Sequence, residues 1–194
     1  MNAMMPSVRM RLRAATDQIH QSLHHAAPFA AIAEGTITLA DYGATLVFLH
    51  RFHAAMLASC ITGSRALESD VLGELQAARI AALEQDLTHL GLIALPVAQE
   101  PLMAPLVCAG MLYTVQGSTL GGKVIFRQLD TLLPDAQGRT FFRGSAQDGH
   151  YWQCLCMALE RQDDIAALEA GARRAFARFT EMMPGQAKDS ILSD

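Results

Sequence analysis

The feature that most constrains the fold of this chain is a run of glycines inside an otherwise strongly helical segment. Residues 117–122 read Gly-Ser-Thr-Leu-Gly-Gly and lie within the apolar stretch 106–133. Each glycine costs a helix about 1 kcal/mol relative to alanine, so this run gives up about 3 kcal/mol that a plain core helix would keep. We therefore expect the backbone here to serve a purpose that larger side chains would obstruct.

Small side chains also recur along one face of this predicted helix. Residues three or four positions apart lie on the same side of a helix, and such a face lets a ligand approach the backbone closely. The same pattern suits close packing against another helix, or a kink without a ligand, and the spacing alone leaves all three interpretations open. The positions are Gly110, Thr114, Gly117 and Gly121.

The rest of the sequence favours a single all-α domain. A chain of 194 residues is long enough to bury a substantial core, and 51% hydrophobic residues with only 18% charged residues favour helices over alternating strands. The hydrophobic pattern predicts roughly five to seven helices and no strand. We expect one domain over residues 1–194, with a core over about 7–183 and a frayed tail over 184–194.

Charge and targeting features exclude several classes of function. A net charge of −4 without a dense Lys/Arg cluster argues against a nucleic-acid partner. The start of the chain lacks the basic and apolar regions of a secretory signal, and the most apolar stretch, 106–115, is about half the length that a membrane span needs. Four cysteines without a Cys-x-x-Cys pair are typical of reduced thiols. We therefore expect a cytoplasmic protein with no membrane span.

Capping residues and hydrophobic periodicity place the helices. Ser7 is expected to cap the first helix, and residues 38–41 form a capping-box-like start for the second. The proline-containing segment 94–105 and the polar run 135–149 are predicted connections. The predicted helices run from Ser7 to near Pro28, from Thr38 to about Cys60, from Leu67 to Leu90, from Leu106 to Leu133, from Ser145 to about Arg161 and from Ile165 to Met183.

One histidine stands out because of its position on the first helix. His20 lies at the edge of the apolar stripe, two turns after Arg13 on the same side. An imidazole there can enter a pocket between helices, although an ordinary hydrogen-bonded histidine fits the same placement. His20 with His24, and His50 with His53, also have spacings that suit metal ligation. A di-iron helical bundle requires Glu-x-x-His motifs, and the sequence contains none.

A single ligand accounts for both unusual features. Haem needs a histidine on one side of its iron and, for chemistry with O₂, an open position on the other side. A histidine at the edge of a helix stripe supplies the first requirement. A helix face without bulky side chains supplies the second.

These same residues resemble the haem oxygenase family. Residues 12–20, Leu-Arg-Ala-Ala-Thr-Asp-Gln-Ile-His, are similar to that family's proximal-helix motif, and residues 117–122 resemble its kinked distal-helix glycine motif. The separation of the two motifs, the Phe141-Phe142 pair and the position of Phe176 agree as well. The resemblance covers roughly residues 10–183 and is closest to bacterial, biliverdin-producing members.

The resemblance implies a fold in which haem lies between the first helix and the glycine-bearing helix. The implied reaction oxidises haem at a meso carbon, with O₂ and reductant electrons, to biliverdin, CO and ferrous iron. His20 would be the axial iron ligand and Arg13 a partner of a haem propionate. Gly117 and Gly121 would form the distal backbone wall, and Phe176 would contact the haem. The implied electron donor is a ferredoxin- or flavoprotein-type reductase.

Two positions depart from the family pattern. Animal-type members carry an aspartate directly after the first distal glycine, where it holds the water that delivers protons, whereas this chain has Ser118. A hydroxyl can order water but carries no charge, so Gly117, Ser118 and Gly121 are the predicted catalytic positions without a carboxylate among them. Residues 152–157 offer no basic side chain to the propionates. A haem-binding or carrier protein with weak or no turnover is therefore the alternative function, and a haem-free helical enzyme is a third.

Overall fold

The computed structural model describes residues 6–184 and shows them as a single all-α domain of ten helices without a strand. The all-α prediction is therefore confirmed. Most of the predicted tail, residues 185–194, lies outside the described residues. The helices are α1 (Val8–His24), α2 (Phe29–Glu34), α3 (Leu39–Ala55), α4 (Leu57–Ala66), α5 (Asp70–His89), α6 (Pro105–Gly117), α7 (Thr119–Gln128), α8 (Thr140–Arg143), α9 (Asp148–Leu159) and α10 (Ile165–Met182).

The predicted helix starts agree with the structure where a side chain caps the helix. The Ser7 hydroxyl accepts a hydrogen bond from the Met10 N–H at 3.3 Å, and the Thr38 hydroxyl accepts one from the Asp41 N–H at 3.1 Å. Each satisfies a backbone donor that the first turn leaves without an intrahelical partner.

The predicted helix count was too low because bends and short helices interrupt the pattern. The helix predicted to end near Cys60 is two helices, α3 and α4, which meet at Met56 with a bend of 46°. The short α2 and α8 lie in segments predicted as connections. Within residues 6–184, no helix is by itself long and apolar enough to cross a membrane, and only the bent pair of α3 and α4 meets that test, by length and composition alone.

The core is built around α6, which is buried from Cys108 to Gln116 and packs chiefly against α4 and α10. The α6 and α10 backbones are very close. A Cβ atom added at Gly110 would lie 2.0 Å from the Leu168 carbonyl oxygen, and one added at Gly171 would lie 1.9 Å from the Val107 carbonyl oxygen. The first half of the small-residue face therefore serves helix packing and does not admit a ligand.

The helix that carries His20 is held by the C-terminal part of the chain. The Glu160 carboxylate accepts hydrogen bonds from the N–H groups of Val8 at 2.8 Å and Arg9 at 3.1 Å, where the positive end of the α1 dipole favours an anion. The Arg11 guanidinium donates to the Glu169 carboxylate at 2.9 Å. These contacts fix the N-terminal half of α1 against α9 and α10.

The proline-containing connection before α6 is also fixed to α10. Glu100 is buried, and its carboxylate pairs with the guanidinium groups of Arg174 and Arg178, the latter at 3.1 Å. The Glu100 N–H donates to the Ala55 carbonyl oxygen at 2.8 Å. The connection is thereby attached both to the α3–α4 junction and to α10. It leads directly to the start of α6.

Candidate ligand site at the helix break

The glycine-bearing helix is broken at Ser118, which separates α6 from α7. The Ser118 N–H donates to the Thr114 carbonyl oxygen at 3.3 Å, and its hydroxyl donates to the Val115 carbonyl oxygen at 2.7 Å. The Arg79 guanidinium reaches the same Val115 oxygen at 3.4 Å. Side-chain donors thus satisfy a carbonyl at the end of α6, where Ser118 interrupts the predicted continuous helix.

An apolar face of α7 lies open beside the break. Leu120 is 50% exposed and Val124 54% exposed, one turn apart. A Cβ atom added at Gly121 would meet no other atom within 4 Å. The exposed side chains of Lys123 and Arg127 border this face on one side. An uncovered apolar surface with cations along one edge suits a flat apolar ligand that carries anionic groups.

His20 lies on the exposed side of α1, beside an aromatic ring of α10. Its ring centroid is 6.2 Å from that of Phe176 and 4.9 Å from that of His24. Partial burial lowers the pKa of His20, and the charges of His24 and Arg13 lower it further against the opposing effect of Asp17. The imidazole is therefore neutral at neutral pH, which is the form that binds a metal ion.

The two walls of the candidate site share neighbouring helices but do not meet directly. In the described part of the chain, α1 and α7 do not pack extensively against each other, and both contact α2 and α9. No atom of His20 lies within 4 Å of a Cβ atom added at Gly117 or Gly121. Helices α1 and α7 are thus connected through α2 and α9, and we refer to these four helices as the frame.

Trp152 of α9 links this frame to the helix break. A Cβ atom added at Gly117 would lie 3.3 Å from the Trp152 indole, whose ring is 5.2 Å from that of Tyr113. Burial raises the pKa of Tyr113 and so does the nearby Cys156 thiol, while the positive charges of Arg9 and Arg13 oppose the rise. The cations of α1 therefore lie within electrostatic range of Tyr113 on α6.

A buried polar cluster lies behind the break, and the sequence interpretation missed it. The Gln76 amide donates to His53 Nδ1 at 3.1 Å and to the His53 carbonyl oxygen at 2.9 Å. The rings of His53 and Phe141 are 5.1 Å apart, and the Arg79 guanidinium lies 5.2 Å above the Phe141 ring. His50 points instead to Glu84 at 3.4 Å, so the two histidines of α3 have different partners.

Acid should destabilise the protein through His53. Burial, with the charge of Arg79, lowers its pKa to about 3 in the folded chain, against about 6.5 when unfolded. Between these values only the unfolded state binds the proton, so the stability that His53 contributes is complete above pH 6.5 and declines as pH falls toward 3. The loss is about 1.4 kcal/mol per pH unit.

Denaturant unfolding between pH 7 and pH 5 measures this effect. The His53→Gln variant should show a stability that depends less steeply on pH than that of the unmodified protein, while His24→Gln on the surface should retain the original slope. Equal slopes for the His53→Gln variant and the unmodified protein would contradict the assignment.

Comparisons with known proteins agree with this architecture. No protein-family model matches the chain. A curated relative named "Heme oxygenase", from Xanthomonas campestris pv. campestris (strain 8004), is 32% identical over 115 residues, which cover 57% of this chain and 70% of that protein. The NO- and CO-bound heme oxygenase from Neisseria meningitidis superposes with a TM-score of 0.67 at 24% identity, covering 91% of this chain and 89% of that one. The heme oxygenase from Leptospira interrogans gives a TM-score of 0.73 at 18% identity, covering 91% and 98%.

Proposed function

Because this chain belongs to the haem oxygenase family, we propose that it is an enzyme that cleaves haem, with O₂ and reductant electrons, to biliverdin, CO and ferrous iron. The observation that carries the proposal is the open apolar face of α7 at a helix break, together with the neutral imidazole of His20 on α1, a helix that shares its neighbours α2 and α9 with α7. We place the enzyme in the cytoplasm, with a ferredoxin- or flavoprotein-type reductase as its electron donor.

The residues of both walls fit haem, which is substrate and cofactor at once. His20 would bind the iron from α1, and the ring of Phe176, 6.2 Å away, would contact the macrocycle. Arg13 is exposed on the same helix and would pair with a propionate. Bound haem supplies the iron that binds O₂ and the meso carbon that is oxidised. Lys123 and Arg127, at the edge of the α7 face, are further candidate propionate partners.

The α7 wall would keep the reacting side of the haem accessible and largely apolar. Gly117 and Gly121 would form this wall as backbone; Gly121 faces open space, whereas Gly117 lies against the Trp152 indole. Leu120 and Val124 would exclude water from the surfaces that they cover. The absence of a Cβ atom matters most at Gly121, where the space is open.

Ser118 would order water at the break although it lacks a carboxylate. Its hydroxyl proton is committed to the Val115 carbonyl, so its oxygen is left to accept hydrogen bonds. Water that donates hydrogen bonds to the Ser118 oxygen and to exposed backbone carbonyl groups can pass a proton to the haem side. This arrangement favours turnover over the alternative of a haem carrier.

Absorbance spectroscopy tests the function directly. Purified protein is mixed with haemin and a reductant in air, and spectra are recorded until they stop changing. A haem oxygenase first shows the Soret band of bound haem and then the bands of biliverdin. A haem carrier shows the Soret band without biliverdin, and a haem-free enzyme shows no Soret band. Trp152 is the sole tryptophan, so quenching of its fluorescence reports haem binding independently of turnover.

Leucine at Gly121 should block the reacting side of the haem while leaving the fold intact. The added Cβ atom meets nothing within 4 Å, and the substitution removes a helix-destabilising glycine, so the stability should be unchanged or raised by up to about 1 kcal/mol. Binding of O₂ or CO to the reduced haem complex should fall sharply because the branched side chain takes the ligand's space.

Gly149→Leu is the matched control for this variant, because a Cβ atom there also meets nothing within 4 Å and lies on α9 instead of α7. Its gas affinity should equal that of the unmodified protein. An unchanged gas affinity in Gly121→Leu would mean that Gly121 does not face the reacting side.

A further inference from the structure

A small cavity lies against the helix break, between α5 and α9. Its volume is ≈ 10 Å³, near the lower limit of the space that holds one water molecule. Two leucines of α5 form its apolar side. Its other side brings together Gln116 and Thr119 from the break and Asp148, Tyr151 and Trp152 from α9. The cavity thus brings the Asp148 carboxylate close to Gln116 and Thr119, the two residues that flank Gly117 and Ser118.

The polar groups of this cavity have unused hydrogen-bonding capacity. Gln116 is only 7% exposed, and its amide nitrogen has no hydrogen-bond partner in the protein. A buried amide donor without a partner is destabilising, and a bound water relieves that cost. The two Asp148 carboxylate oxygens accept one hydrogen bond each from Ser145, both at 2.9 Å, and each can accept another.

Asp148 also supplies a carboxylate close to the helix break, where Ser118 has only a hydroxyl. Its charge favours the protonated form of the half-buried Arg79, the guanidinium that reaches the Val115 carbonyl at the break. Asp148 therefore lies within electrostatic range of a group that is bonded to the end of α6. Ser118 supplies no charge of this kind.

We propose that this cavity binds one ordered water molecule, held between the Gln116 amide and the Asp148 carboxylate, and that this water delivers protons to the haem side of the break. The second part rests on the proposed function. Gln116 Nε2 donates to the water, and the water donates to Asp148. In each cycle Asp148 takes a proton from solvent and gives it to the water, the water gives one of its protons to the Thr119 hydroxyl, and Thr119 releases its own proton toward the haem side, so every group ends the cycle as it began. Gln116 and Asp148 are positioning residues, since they act through the water.

Crystal structures of the haem-free protein test the water site without any reaction. In the unmodified protein we expect density for a water within hydrogen-bond distance of Gln116 Nε2 and an Asp148 oxygen. In Gln116→Leu, which keeps a similar volume without the amide, the water should be lost. A dry cavity in the unmodified protein, or a water that contacts neither residue, would overturn the proposal.

Rates of biliverdin formation in H₂O and D₂O test the proton delivery. Gln116→Leu and Asp148→Asn should each slow the reaction roughly tenfold or more and increase the solvent isotope effect, because proton delivery becomes limiting. The spectrum of the bound haem should stay unchanged. The matched controls are Gln153→Leu and Asp163→Asn, at exposed positions on α9 and just after it, and they should react like the unmodified protein.

The two experiments separate failure of this inference from failure of the proposed function. If the variants keep the original rate and isotope effect, the water is structural and the proton-delivery proposal is wrong. If the unmodified protein forms no biliverdin at all, the proposed function fails and proton delivery fails with it. The crystallographic result on the water is independent of either outcome.

Discussion

Replacing His20 with alanine should abolish the histidine-ligated spectrum of bound haem and lower biliverdin formation by more than about 100-fold. Even the loss of a group that only supports a metal ligand costs up to that factor, and His20 is the proposed ligand itself. Its lowered pKa leaves the ring nitrogen free to bind iron, and its position beside Phe176 places it at the α1 wall. The spectrum of the ferric complex and the rate of biliverdin formation measure the two effects.

His24→Ala is the control for this prediction, because His24 lies on the same helix with its ring 4.9 Å from that of His20. It should keep the histidine-ligated spectrum. Added imidazole should restore the spectrum of His20→Ala, since a free imidazole fits the space that the side chain leaves. An unchanged axial signature in His20→Ala would show that another group binds the iron.

Alanine at Gly171 should destabilise the protein by at least about 3 kcal/mol, the upper range for overpacked cores. The new Cβ atom would lie 1.9 Å from the Val107 carbonyl oxygen and 3.0 Å from the Met111 nitrogen. These are backbone atoms of α6, which cannot turn aside as a flexible side chain can. The only relief is to separate α6 from α10, which breaks the closest packing in the core. Gly110→Ala should behave alike, because its Cβ atom would lie 2.0 Å from the Leu168 oxygen.

Chemical denaturation measures this loss, and Gly149→Ala provides the comparison. That glycine also lies in a helix, but a Cβ atom there meets nothing within 4 Å, so alanine should stabilise the protein slightly. A loss of less than about 1 kcal/mol in Gly171→Ala would mean that the two helices separate easily. The same variants should bind haem poorly only to the extent that they unfold.

The small-residue face shows what the sequence predicts and what it does not. The spacing of Gly110, Thr114, Gly117 and Gly121 correctly indicated a close approach to the helix backbone. It could not tell which neighbour approaches, because that depends on where α10 lies. In the structure, Gly110 and Thr114 pack against α10, and the Thr114 hydroxyl donates to the Ala172 carbonyl oxygen at 3.2 Å. Gly121, by contrast, faces open space.

In the candidate site, likewise, some residues could be predicted from the local sequence and others only from the tertiary packing. His20 was predictable from the stripe of α1 and the family motif, and the structure brings it to Phe176. Leu120 and Val124 were missed, although an apolar pair one turn apart beside Lys123 and Arg127 is visible in the sequence. Trp152 and the cluster around His53 could not be found in this way, since only the packing of α5, α8 and α9 around the break brings them there.

The attachment of α1 to the end of the domain also has a consequence for synthesis on the ribosome. The Val8 N–H and the Glu160 carboxylate that caps it are 152 residues apart, and the other partners of α1 include Glu169 and Phe176. Helix α1 leaves the ribosome long before these residues are translated, and contacts over such distances form late. A nascent chain that stops before α9 lacks Glu160, Glu169 and Phe176, which hold α1 in the folded protein. Truncated translation products should therefore be unable to hold haem through His20, and this proposed ligand, although translated early, reaches its final place late.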